Sequence, residues 1–520
     1  MLRALLFLAA LASPAVAAQS PCTSGTATLG GVSYACDGVD LLARIPAGTD
    51  GPLRAAGLND IWGWTDPQDG TEYALVGTRN GTVFVDVSTP TAPRVLGRMA
   101  STNDFETTWR DIKVYRDHAF VGSEATNHGI QVFDLTRLRG LSADDARAFE
   151  PDARYTGVAS SHNVVINEET GFLYAVGAVS VGPNLPASCD ARGFHAVDIQ
   201  TPTSPTFAGC FSDAANETGP RSPGYTHDAQ CVVYRGPDAD HQGREICFGA
   251  NEDVVSIFDA SDKSAVTLLS QIAYPNSAYT HQGWLTDDQR FFIANDELDE
   301  SRSVSEGLTP DQRTLVFDVS DLDNPDFSFQ YNSGLPTIDH NLYVVGRYAY
   351  EANYESGLRI LDLDGIQQGV IREAAFFDTY PQSTTAQFNG MWSVYPYFQS
   401  GTVVVSDINN GLFVLRPDAQ FTTGVVVCDC GGLEVALSPP APHPATGTTT
   451  LTLTTAAAVD VSARLYDVAG RELAVLFEGR TDAGGRLPLV VDASDLATGV
   501  YVVRVTGETF AVSGRLTVVR

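Results

Sequence analysis

The chain has 520 residues, 63 of them acidic against 32 basic, for a formal charge of −31. Phosphate contacts need clustered Lys and Arg, so this balance excludes nucleic acid as a partner. It suits a solvated acidic surface, as in salt-adapted proteins, and leaves affinity for cations or basic partners open.

Residues 1–18 read as a secretory signal peptide: Arg3, a short apolar run, and Ala15-Val16-Ala17 as small residues for cleavage. That run is too short to span a bilayer, and no later stretch reaches the required length without charges or Gly, so no transmembrane segment is expected. Cys22 follows Gln19-Ser20-Pro21 rather than a lipobox, which argues against a lipid anchor. All eight Cys lie beyond the signal segment, and an even count in an oxidising compartment favours disulfides. Cys231 and Cys247 are expected to face each other across a hairpin. Cys22 with Cys36, Cys189 with Cys210 and Cys428 with Cys430 pair by proximity only, the last as a strained bridge or as two free thiols. The C-x-x-C pairs of a zinc site are absent.

From residue 59 one short pattern recurs at roughly fifty- to sixty-five-residue intervals. Four copies are Ser161-His162-Asn163, Thr226-His227-Asp228, Thr280-His281-Gln282 and Asp339-His340-Asn341. In register with them stand Asn59-Asp60-Ile61, Arg110-Asp111-Ile112 and Asn389-Gly390-Met391. After each comes an apolar strand, then a second such as FLYAVG (172–177), then a third such as VFVDVS (83–88). Most third strands end on an Asp before a turn: 86, 134, 198, 259, 318 and 362. We read these Asp as acceptors for turn N–H groups. The seventh unit stops after its third strand, while an unmatched VDLLARIPAG (39–48) precedes the first. A circular array closes by letting that N-terminal strand complete the last blade. The expected fold is all-β: a seven-bladed β-propeller over 19–417, closed by an N-terminal strand. A linker (418–432) and a small C-terminal β-sandwich (433–520) follow.

The third-strand cores, with Thr226–Cys231 and Thr280–Trp284, resemble the LVIVD repeats of the choice-of-anchor B family of secreted bacterial propellers. That resemblance implies an architecture and an address but assigns no chemistry. Tyr466–Arg471 and Ala497–Arg504 resemble a type IX secretion sorting domain. It implies a Bacteroidetes-like source and the type IX machinery as partner. It also implies a route through the periplasm to the outer cell surface or the medium.

In a propeller the middle residues of the repeated pattern encircle the pore, on the face that carries the long loops 178–193 and 296–313. His162, His227, His281 and His340 then form a candidate metal site for a divalent ion. Asp60, Asp111, Asn163, Asp228, Gln282 and Asn341 are candidate ligand-binding residues. The alternative is an inter-blade hydrogen-bond lattice built from the same side chains. A four-histidine site on a seven-bladed propeller resembles that of carotenoid-cleaving oxygenases in architecture, without shared motifs. Asn295–Glu297 with Asp299 and Glu300 is a candidate calcium loop. His118, His128 and His195 read as surface or packing residues. There is no G-x-S-x-G elbow, phosphate loop, H-E-x-x-H or dinucleotide fingerprint. The leading expectation is a monomeric surface protein that binds a ligand of unspecified chemistry. The competing one is a metal-dependent hydrolytic or oxidative enzyme using the four histidines.

Overall fold

The computed structural model describes residues 19–142, 147–213 and 224–418, together with most of 426–518. The signal-peptide segment 1–18 and Cys430 lie outside the described residues.

Seven four-stranded antiparallel sheets follow one another along the chain. Their inner strands are Leu58–Thr65, Arg110–Tyr115, Asn163–Asn167, Asp228–Val233, Thr280–Leu285, Leu342–Val345 and Met391–Tyr395, here blades 1 to 7. Each inner strand lies against the next, and that of blade 7 lies against that of blade 1, so the ring is closed. The second and third strands of a blade are covered on both faces by neighbouring blades, which is why Glu72–Thr78 and Gly81–Asp86 are buried throughout. Outer strands face water on one side, and Asp326–Asn332 alternates exposed and half-buried residues along its whole length.

Blade 7 draws its outer strand from the N-terminus. Val39–Ile45 pairs antiparallel with Gly411–Pro417, from Val39 opposite Pro417 to Ile45 opposite Leu412. The recurrent Asp residues do what their position suggests. Their carboxylates accept the backbone N–H two residues on, from Ser88, Thr136, Gln200, Ser261, Ser320 and Asp364, at 2.9–3.0 Å. Among the described residues three disulfides are formed: Cys22–Cys36, Cys189–Cys210 and Cys231–Cys247; the pairing of Cys428 with Cys430 lies outside them.

Several elements are not visible in the repeat pattern, three of them added to sheets. A hairpin of Thr26–Leu29 and Val32–Asp37 extends blade 6 through Cys36 opposite Phe377. Arg147–Phe149 adds a parallel strand to blade 1. Val426–Asp429, inside the segment read as a linker, pairs with Glu434–Leu437, because its β-branched run finds a sheet edge there. The C-terminal unit is two four-stranded sheets around a core that includes Leu451, Leu453, Leu465, Val503 and Leu516.

Candidate functional site: the histidine-lined pore mouth

The repeated tripeptides converge as expected. Each ring residue sits at or just before the start of its inner strand. In blades 1, 5 and 7 a β-bulge marks the place, between Leu58 and Ile61, Thr280 and Gly283, and Met391 and Ser393. Bulges re-aim side chains, here Asp60 and His281 toward the axis. The imidazoles of His162, His227, His281 and His340 form one continuous arc, consecutive ring centres being 4.2, 4.3 and 4.2 Å apart. Trp392 continues the arc 4.9 Å from His340. The seventh ring position carries no side chain. Gly390 has φ +87°, and a Cβ there would lie 2.4 Å from the Tyr354 carbonyl oxygen.

Two histidines are oriented by the neighbouring blade. The His227 Nδ1 lies 2.8 Å from the His281 carbonyl and the His340 Nδ1 lies 2.6 Å from the Trp392 carbonyl. A carbonyl only accepts, so each Nδ1 carries a proton, and in a neutral ring Nε2 then keeps its lone pair. Burial holds the His340 pKa down to about 3. Burial, reinforced by the adjacent imidazoles, drives that of His281 well below its usual range. Both rings are therefore neutral at physiological pH. A carboxylate that the pattern did not mark faces them: Glu297 lies 3.8 Å from His281 Nε2 and 3.7 Å from His340 Nε2, and accepts a hydrogen bond from the Tyr354 hydroxyl at 2.8 Å. Donor atoms of His281, Glu297 and His340 all fall within 4.8 Å of one another. His162 turns its Nδ1 to Glu124 at 2.7 Å instead.

The polar neighbours stitch blades together. Asn163 donates to the His227 carbonyl, Asn341 to that of Trp392, and Gln282 bonds both the N–H and the carbonyl of Leu342. Asp60 and Asp111 accept the backbone N–H of Ile112 and Val164 in the following blades. Lys113 lies 2.6 Å from Asp111 and 3.7 Å from Asp60. Burial and the nearby Asp111 push Asp60 far up. Asp111 is equally buried, but Lys113 and its hydrogen bonds hold it low, so Asp111 carries the charge. Burial, with Asp111 close by, raises Asp228 to about 7. This layer of Lys113, Asp60, Asp111, Asp228 and Tyr343 crosses the channel. Above it, among the histidines, the cleft is about 10 Å³.

Glu124 and Glu297 were the residues sequence reasoning passed over as partners of the ring. Each is the first residue beyond the second strand of its blade. Aligning the units on that strand end would have exposed them. His128 and His195 are buried packing residues, His128 against Arg110 at 3.0 Å.

A family model described as the secretion system C-terminal sorting domain matches residues 441–519. A second, the LVIVD repeat, matches residues 71–101. The chain is an LVIVD-repeat protein with a type IX sorting tail. Such a tail implies interaction with the type IX machinery and, with the disulfides, a secreted or cell-surface protein. Among the described residues no helix is long and apolar enough to cross a membrane. No curated protein matches the sequence. Among solved structures, PorZ is a surface component of the type IX secretion system of Porphyromonas gingivalis. It is similar at 15% identity and TM-score 0.43, over 96% of this chain and 64% of that one. The extracellular domain of BT4673 from B. thetaiotaomicron is similar at 11% identity and TM-score 0.43, over 92% of this chain and 58% of that one. The chain thus spans less than two thirds of either. The β-propeller of Myceliophteria thermophila Cps50 is similar at 11% identity and TM-score 0.41, over 69% of this chain and 98% of that one.

Proposed function

We propose that this protein is a binding protein of the bacterial surface, exported through the periplasm and attached or released with its sorting tail removed. We take it to be a choice-of-anchor B propeller whose pore mouth holds one divalent cation, with zinc the best fit.

The observation that carries this is the convergence of His281 Nε2, His340 Nε2 and the Glu297 carboxylate around one point. Tetrahedral donors about 2.1 Å from zinc lie about 3.4 Å apart. Glu297 turns one oxygen to each imidazole, Oε1 3.7 Å from His340 Nε2 and Oε2 3.8 Å from His281 Nε2, too long for hydrogen bonds and near that spacing. Carbonyl and hydroxyl partners behind His340 and Glu297 fix the donor atoms in place. His162 and His227 extend the arc as neighbours of the ion, with Asp60, Asp111, Asn163, Asp228, Gln282 and Asn341 holding the blades that present it.

Three protein donors leave a coordination position for water, which favours a metal-dependent hydrolase as the second reading. Against it stands the cleft, whose 10 Å³ accommodates an ion or a water but no organic substrate. Elemental analysis of the purified protein should find about one zinc per chain, and Glu297→Gln and His340→Ala should each lose it without loss of secreted yield. Metal-free parent protein that cannot be loaded with zinc would overturn the reading.

A further inference from the structure

The other end of the channel holds a second chamber, of about 510 Å³, built from the far ends of the inner strands. One wall is aromatic: Trp62, Trp284, Tyr343, Tyr395 and Tyr397. Their rings stand against one another, from 5.0 Å for Trp284 on Tyr343 to 6.2 Å for Trp62 and Tyr397. Gly63 makes room for this wall, since a Cβ there would lie 2.1 Å from the Tyr395 ring. Acidic side chains share the lining: Glu168, Asp287 and Glu169, the last paired with Arg235 at 2.5 Å. The floor is the Lys113 layer that separates this chamber from the histidines.

That floor shows how the chamber receives a cation. The Lys113 ammonium lies 4.6 Å from the centre of the Trp62 ring and 2.6 Å from an Asp111 oxygen, an aromatic face on one side and a carboxylate on the other. At the mouth the same pair of elements recurs. Glu168 lines the same chamber as Tyr395 and Tyr397, has its carboxyl pKa raised to about 7 by the surrounding desolvation although its surface is open to solvent, and has no hydrogen bond or ion pair among the described residues. The two cationic side chains of the lining, Lys113 and Arg235, are already paired with Asp111 and Glu169. We propose that this chamber binds a small organic cation, a primary or quaternary ammonium, between Glu168 and the aromatic wall of Trp284, Tyr395 and Tyr397.

The volume suits such a molecule, being within the usual range of about 300–1,000 Å³ for small-ligand pockets. The site is independent of the metal reading, because the charged layer lies between the two.

Titration calorimetry of the intact protein with choline and with n-butylammonium, and with cellobiose as a neutral comparison, tests this. Saturable binding of at least one of the cations is expected, weakened at least fivefold by Glu168→Gln and by high salt, and unchanged by His340→Ala. Asp287→Asn should weaken it less. No saturable binding of either cation by folded protein overturns the proposal. So does binding that Glu168→Gln leaves intact, or a chamber that takes cellobiose alone.

Discussion

His195 lies inside blade 3, where Nε2 meets the Tyr155 hydroxyl at 2.7 Å and Nδ1 the Ser180 hydroxyl at 2.9 Å. The neighbouring Cys189 and Cys210 are joined to each other, so no thiolates remain to make a zinc site with it. Burial holds its pKa down to about 4. The folded protein therefore keeps the ring neutral at pH values where the unfolded chain, near 6.5, takes up a proton. With the folded pKa depressed, the contribution to stability is complete above about 6.5 and is lost as the pH falls toward 4. His195→Gln keeps polar contacts and removes the titration. By pH 5 the stability difference between parent and variant should have narrowed by about 2 kcal/mol relative to pH 7. Urea unfolding at the two pH values reads this directly, and a difference independent of pH would contradict it. The same physics separates what the sequence could and could not show. Four histidines were legible because a tripeptide marks them four times. Glu297 was marked only as part of a calcium loop, not as a partner of the ring, and Glu124 not at all, because each occurs once, at the head of a loop with its own length.

Each of blades 1 to 6 turns on a side chain that the repeat shows plainly. In blade 5, Asp318 takes the Ser320 N–H at 3.0 Å with one oxygen and an Arg290 N–H at 3.1 Å with the other. Asp318→Ala should cost about 1 kcal/mol, since the turn amide loses its acceptor while the partly exposed Arg290 guanidinium turns to water. Asp318→Asn should recover part of that through its amide oxygen. Zinc content should be the same in both, which distinguishes a turn from a site; a loss of metal in Asp318→Ala would undo the assignment. Strand positions were readable wherever burial repeats, as in the second and third strands. The hairpin Thr26–Asp37 and the strand Arg147–Phe149 were not, since they dock on outer edges whose neighbours come from elsewhere in the chain. The aromatic chamber was hidden for a related reason. Bulges in blades 1, 5 and 7 shift the register, so Trp62, Trp284 and Tyr395 occupy no common place in the repeat although they share a wall.

Closure of the ring could be read as bookkeeping, one strand missing at the end and one to spare at the start, and its energetic weight follows from burial. Leu41, Leu42, Ala43 and Ile45 are each at most 2% exposed within blade 7. Fully burying a Leu or Ile side chain is worth about 1.5–3 kcal/mol, so losing this strand removes at least about 5 kcal/mol, comparable to the whole stability of an ordinary domain. It also bares the backbone of Gly411–Pro417, a long apolar edge prone to pair with another chain. The strand is held from two directions, by its pairing in blade 7 and by the preceding hairpin on blade 6, which the Cys22–Cys36 bridge ties down. Removing residues 19–45 should therefore give a species that self-associates more than the parent and whose propeller melts at least about 10 °C lower. Adding back a peptide of residues 39–48 should partly reverse both effects. If light scattering and calorimetry find the shortened chain monomeric and equally stable, then contacts among the inner strands alone hold the circle, and the N-terminal strand is a passenger on it.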